Sequence, residues 1–153
     1  MKRILIFAVL SLAVALMSSC DDKVHINPLE VTNNNIAGTW YLAEWNGAPL
    51  AEDSFVYIEF IRKDAEYVMY QNLDSFSPRK RTGRFSIYTD NELGAIIRGD
   101  YDYGAGEWAH RYIVTDFTRE SMVWTAKDDR SDISVYKRCD GIPEEVTGGK
   151  ILE

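Results

Sequence analysis

The chain has 153 residues, enough for one domain with a substantial core and too few for two. Its 46% hydrophobic content argues against disorder over the whole length, and 12% aromatic residues, including nine Tyr and four Trp, favour strands over helices. A net charge of −7 speaks against a nucleic-acid partner, which needs a basic stripe, and against adsorption to an anionic membrane by charge alone.

In chain order, Lys2 and Arg3 precede an apolar run from Ile4 to Leu16, broken only by Ser11. Small residues and Cys20 follow. This is the pattern of a secretory signal peptide over residues 1–19, too short for a comfortable membrane span. Leu16-Met17-Ser18-Ser19-Cys20 resembles the lipobox of bacterial lipoproteins, with Met17 where Leu is usual. The resemblance implies cleavage before Cys20, acylation of its thiol and amine by palmitate-class chains, and membrane anchoring. Each buried methylene contributes roughly 0.8 kcal/mol to such an anchor. The alternative is an ordinary secretory signal, with Cys20 left to pair with Cys139, the only other cysteine.

Asp21-Asp22 resembles the export tags that place some Gram-negative lipoproteins on the outer face of the outer membrane. In other bacteria an Asp there signals inner-membrane retention. The expected location is the cell envelope, as an outer-membrane and surface-exposed lipoprotein. Residues 20–35 read as the acylated Cys and a flexible tether, because Pro28 and Thr32-Asn33-Asn34-Asn35 are poor helix and strand formers. Such a tether reaches on the order of 20 Å.

The body is a series of short strands. The first covers 38–45 and ends at Asn46-Gly47, a strong hairpin signal. The second, 55–61, puts Val56, Ile58 and Phe60 inward by alternation. A turn at 63–65 leads to a third strand, 66–71, whose two faces are nearly equally apolar. A loop over 72–80 leads into the basic run Arg79-Lys80-Arg81, read as a charged edge or loop tip. The fourth strand, 84–88, points Phe85 and Ile87 inward, and the fifth covers 93–98. A Gly/Asp/Tyr-rich loop spans 99–106. The sixth strand, 108–115, carries Trp108, His110, Tyr112 and Val114 on one face. The seventh is 122–126 and the eighth 133–138. No run has the pattern of a three-turn amphipathic helix. Residues 140–153 form a tail, since Pro143 ends any strand and Gly148-Gly149 favours fraying.

Eight short strands with hairpin-length connections predict an all-β domain over 36–139. An eight-stranded up-and-down antiparallel barrel is favoured over a sandwich, because closure removes exposed edges. Gly38-Thr39-Trp40, about sixteen residues after the lipobox Cys, resembles the Gly-x-Trp signature of the lipocalins, and the domain is similar to bacterial lipocalin-like lipoproteins. The resemblance implies that Trp40 packs under the barrel floor with Arg138 of the last strand across its ring, a favourable cation–π contact. Simple alternation, however, sets Arg138 and Tyr136 on the face opposite Ile133 and Val135. If those two apolar residues point inward, the last strand needs a bulge or end twist.

The sequence shows no catalytic constellation, and neither a metal site nor a cofactor is expected. His25 and His110 do not share a metal-ligand spacing, and no Gly-x-Ser-x-Gly elbow is present. Cys139 reads as a quiet thiol at a strand end. Residues 100–107 cluster carboxylates without matching an EF-hand loop, and a solvated loop is the simpler reading. The resemblance and the aromatic inward faces point to a small, largely apolar ligand in the barrel. Phe60, Phe85, Trp108, His110, Tyr112 and Trp124 are its candidate wall. The same aromatics equally suit a filled core. In that case the protein is an interaction module that meets a protein or glycan through loops 72–81 and 99–107.

Overall fold

The computed structural model describes residues 27–148. The signal segment, Cys20, Asp21-Asp22 and His25 lie outside the described residues, as do residues 149–153. The strands among the described residues are β1 (Gly38–Trp45), β2 (Ala48–Pro49), β3 (Val56–Ile61), β4 (Glu66–Gln71), β5 (Arg79–Asp90), β6 (Gly94–Tyr101), β7 (Tyr112–Thr115), β8 (Ser121–Ala126) and β9 (Ile133–Cys139). From β3 onward each pairs antiparallel with the next, β3 also pairs with β1, and β9 returns to β1. The result is the expected closed barrel of eight antiparallel strands. Two-residue β2 is an extra, folding back on the end of β1. Asn46 and Gly47 both take positive φ, 52° and 79°, as a tight two-residue hairpin turn requires.

The inner face follows the predicted alternation on β3 and β5: Val56, Ile58, Phe60 and Phe85 are buried, and Ile87 packs against them. The inward set of β4, open from sequence, is Tyr67 and Met69 with Gln71. Three boundaries need correction. The basic run Arg79-Lys80-Arg81 is strand, paired with Gln71, Tyr70 and Met69. β6 continues through Gly99 to Tyr101, because Gly99 and Gly83 leave room on the inner face for the Trp108 and Tyr67 rings. The sixth predicted strand begins only at Tyr112, since residues 108–111 leave the regular ladder.

The tension in β9 resolves against hydropathy. Ser134 and Tyr136 are buried, and Ile133 is exposed on the outside. The bulge lies in β1 instead, where the register with β9 shifts between Leu42 and Glu44. The extra residue, Ala43, turns Trp45 to the inner side opposite Ser134.

The two ends of the barrel differ. At the floor, Trp40 is fully buried and donates its indole N–H to the Ile36 carbonyl at 2.8 Å. The Arg138 guanidinium stacks 4.0 Å from the Trp40 ring centre. It also donates to the carbonyls of Ala37 (2.7 Å), Asn35 (2.9 Å) and Arg119 (2.7 Å). Gly38, at φ +115°, lies directly under this guanidinium, and a Cβ there would sit 2.6 Å from Nη1.

Residues expected in a flexible tether are part of this floor. Leu29 and Val31 pack on the core, Leu29 N–H binds the Phe117 carbonyl at 2.7 Å, and a helical turn, α1 (Asn33–Ile36), is capped by Thr32. The expected tail likewise begins with a turn, α2 (Glu144–Thr147), that buries Val146. Opposite the floor, the β1–β3, β4–β5, β6–β7 and β8–β9 connections surround the mouth.

Candidate ligand-binding site

The floor half of the barrel is filled. Phe60 and Phe85 meet edge-on with ring centres 4.8 Å apart, and Ile58, Ile97 and Met122 around them are fully buried. The mouth half is hollow: a cavity of about 270 Å³ opens at the end away from Trp40. Its depth is set by Trp124, whose ring lies 4.7 Å from Tyr136, 5.2 Å from Tyr112 and 5.6 Å from Trp108. Leu42, Val56 and Met69 complete the apolar wall, and Trp45 and Leu73 stand at the rim.

Local sequence explains the wall. Trp108 seats on Gly99, where any Cβ would fall inside the indole. Its N–H donates to the Tyr67 hydroxyl at 2.8 Å. Trp124 donates to Met122 Sδ at 3.3 Å. These two aromatic rings therefore face the cavity with their polar atoms already engaged.

Three hydroxyls behave differently. Ser134 and Tyr136 are 8% and 6% exposed, and with Tyr112 they line the cavity. No hydrogen-bonded partner occurs for them among the described residues, yet no side-chain polar atom is sealed away unsatisfied, so these oxygens face the cavity space. Burial pushes the Tyr112 hydroxyl up to about 12, with the nearby Asp132, Tyr101 and Asp128 adding to it. Burial pushes Tyr136 up further, helped by Tyr112 and Asp132.

The rim is polar. Asp132 precedes β9 and continues its inner row, so Asp132, Ser134 and Tyr136 descend along one strand face at every second residue. Asp132 Oδ1 accepts the Trp45 indole N–H at 2.7 Å. Asn46 fixes this corner, exchanging backbone and side-chain hydrogen bonds with Ile133 at 2.8 Å each. His110 Nδ1 lies 2.7 Å from Asp128 Oδ1, and its Nε2 lies 4.0 Å from Asp132 Oδ2. The His110 pair draws the Asp128 carboxyl below its ordinary value. Across the mouth Asp74 is held by Arg79 at 3.2 Å and by the Gln71 amide at 3.0 Å.

Of the six candidate wall residues, the structure brings Trp108, Tyr112 and Trp124 together on the cavity. Phe60 and Phe85 belong to the filled half, and His110 sits outside the wall, bound to Asp128. The signature residues Gly38, Trp40 and Arg138 meet at the floor. Sequence reasoning missed Asp132, Ser134, Tyr136 and Trp45. The available signal was Arg138: if it lies over Trp40, every second residue before it faces inward too. Cys139 is half-buried near the floor end, with its thiol pushed up by burial. Among the described residues, the carboxylates of 100–107 form no metal-holding group.

No protein-family model matches the sequence, and no curated protein matches it. Among solved structures it is similar to a lipocalin-like protein from Bacteroides uniformis ATCC 8492, at 17% identity and a TM-score of 0.50. The match covers 69% of this chain and 99% of that one. With eight strands closed β1 to β9, a floor built on Trp40 and Arg138, and this likeness, the described domain is lipocalin-like in fold.

Proposed function

We propose that this protein binds a small, largely apolar molecule in the mouth of its barrel and is not an enzyme. The hollow upper half carries the proposal: about 270 Å³ lined by aromatic rings, with three hydroxyls without protein partners among the described residues open to it. Ligand sites are concave, mostly apolar and supplied with a few convergent polar groups. A dry apolar cavity of about 150 Å³ holds benzene, so this one suits a body of one or two rings. His110 lies outside the cavity wall, and the Cys139 thiol lies away from the cavity near the floor.

The test is titration of the purified protein with a neutral apolar dye, N-phenyl-1-naphthylamine, read by quenching of Trp108 and Trp124. One-to-one saturation is expected, abolished by the cavity-filling variant Ser134→Phe while its thermal transition persists. Absence of saturable binding by any small apolar probe overturns the reading.

A second reading has its own observation. The large exposed apolar side chains Trp45, Leu73, Phe76, Tyr103 and Ile133 all stand around the mouth. A protein or glycan contacting this end would cover them. Replacing 72–78 and 102–107 with Gly/Ser linkers abolishes binding on this reading and spares dye binding.

Anchoring at Cys20 is part of the proposal, with the domain at the cell envelope on an outer-membrane lipoprotein tether. The chain enters the described domain at its floor, which is the end opposite the mouth. Lipid-modified N-terminal peptide in the wild type, and its loss in Cys20→Ser, is the expected mass-spectrometric result.

A further inference from the structure

The binding reading leaves the ligand's charge open, and the cavity wall speaks to it. Among its described residues the wall carries aspartates but no Lys, Arg or His. Asp132 has a side chain only 18% exposed, and its Oδ2 has no hydrogen-bond donor among the described residues, His110 Nε2 being 4.0 Å away. Trp45, Trp108, Trp124, Tyr101 and Tyr112 turn rings toward the same space. Aromatic faces carry negative quadrupole density and attract cations, most strongly where water is excluded.

The arginines of this end do not reverse the sign. Arg79 is paired with Asp74, and Arg81 lies exposed, 6.0 Å from the Tyr101 ring centre and outside the wall. Lys127 is tied to Asp90 at 3.5 Å, and Arg111 to Glu107 at 3.6 Å. Arg130 is exposed in the β8–β9 loop. A buried charge needs a partner of opposite sign. Asp132 supplies one for a cation and repels an anion.

We infer that the mouth cavity selects a small organic ammonium: a protonated amine on a flat body of one or two rings. The ammonium sits at Asp132 among the rim aromatics, the rings lie against Trp108 and Trp124, and Ser134 or Tyr136 meets a polar substituent at depth. This rests on the ligand-binding reading and narrows it, since a fatty-acid-like carboxylate would face Asp132.

Three isosteric probes test it by calorimetry on the full chain at pH 7: tryptamine (cation), tryptophol (neutral) and indole-3-acetate (anion). Tryptamine is expected to bind at least tenfold more tightly than indole-3-acetate, with tryptophol between them. Asp132→Asn should bring all three within about threefold, by weakening tryptamine and not by strengthening the neutral probe. Asp74→Asn, whose carboxylate is already paired, should keep the order and shows that the effect is local to Asp132. Equal or tighter binding of indole-3-acetate overturns the inference, as does a preference that survives Asp132→Asn in a folded variant. If the neutral dye saturates while the three probes show no order, the charge selection alone falls. If neither dye nor probes bind, the ligand-binding reading falls with it.

Discussion

The floor and the mouth of this barrel are both built around tryptophan, to opposite ends. At the floor, an indole N–H and a guanidinium donate to four backbone carbonyls around Trp40 and Arg138. At the mouth, the Trp and Tyr rings meet one another around a cavity, and the hydroxyls of Tyr112, Ser134 and Tyr136 find no protein partner among the described residues. Open to the cavity, these hydroxyls are free to meet water or a ligand, while the floor groups meet only protein. A protein that closes one end fully and leaves the other unsatisfied holds stability at the first and binding capacity at the second.

The largest expected effect separates the ends directly. Trp40→Ala removes a fully buried ring and the face on which the guanidinium stacks, so a loss of about 3–5 kcal/mol in urea unfolding is expected. Trp45→Ala, at the exposed rim, should cost below about 1 kcal/mol and act on dye affinity instead. Comparable losses from both would erase the division between the two ends.

Gly99→Val tests the boundary between the halves. Its side chain would occupy the space of the Trp108 indole and push the cavity wall inward. Overpacking of this kind costs about 1–3 kcal/mol. Dye binding should be lost while the floor keeps the fold, a result read by comparing titration with the unfolding midpoint.

This division was half legible in the residues. Strand number and the inward faces of β3 and β5 follow from alternation, closure from the removal of exposed edges, and the Trp40–Arg138 floor from the lipocalin resemblance. The last strand was not legible by hydropathy, because a barrel with a polar-lined mouth inverts the usual rule. Ile133 and Val135 look like core, while the row that faces inward is Asp132, Ser134 and Tyr136. Ala43 hid Trp45 in the same way, since a one-residue bulge reverses every side chain beyond it. Phe60 and Phe85 were indistinguishable from cavity residues in sequence. Height along the strand, which places them in the filled half, comes only from register and tilt.

Alkaline pH should destabilise the fold, in large part through the tyrosines of the mouth. Tyr112 has an ordinary value of 10.0 and is raised to about 12 in the fold by burial, and Tyr136 is raised further. Between these limits the unfolded chain releases protons that the folded one retains, so deprotonation favours unfolding. The stabilisation is fully present below about pH 10 and is lost as pH rises through the folded values. Unfolding midpoints measured from pH 8 to 12 should fall, and the double variant Tyr112→Phe/Tyr136→Phe should lessen that decline. Tyr67, also raised to about 12, and the Cys139 thiol near the floor, raised by burial, account for part of the decline that remains.

The smallest expected change is the sharpest. Tyr67 and Tyr136 are both buried tyrosines on the inner face, and Tyr→Phe removes one oxygen from each. The Tyr67 oxygen accepts the Trp108 N–H at 2.8 Å, so Tyr67→Phe leaves a buried donor unpaired at a cost of about 1–3 kcal/mol. The Tyr136 oxygen has no protein partner, so Tyr136→Phe should leave stability within about 0.5 kcal/mol of wild type, or raise it slightly. Its effect should appear only with a ligand: affinity for a probe bearing a hydrogen-bonding substituent falls, and affinity for the apolar dye does not. A stability loss in Tyr136→Phe equal to that of Tyr67→Phe would mean that the hydroxyl is engaged within the fold. The deepest polar group of the mouth would then belong with the floor.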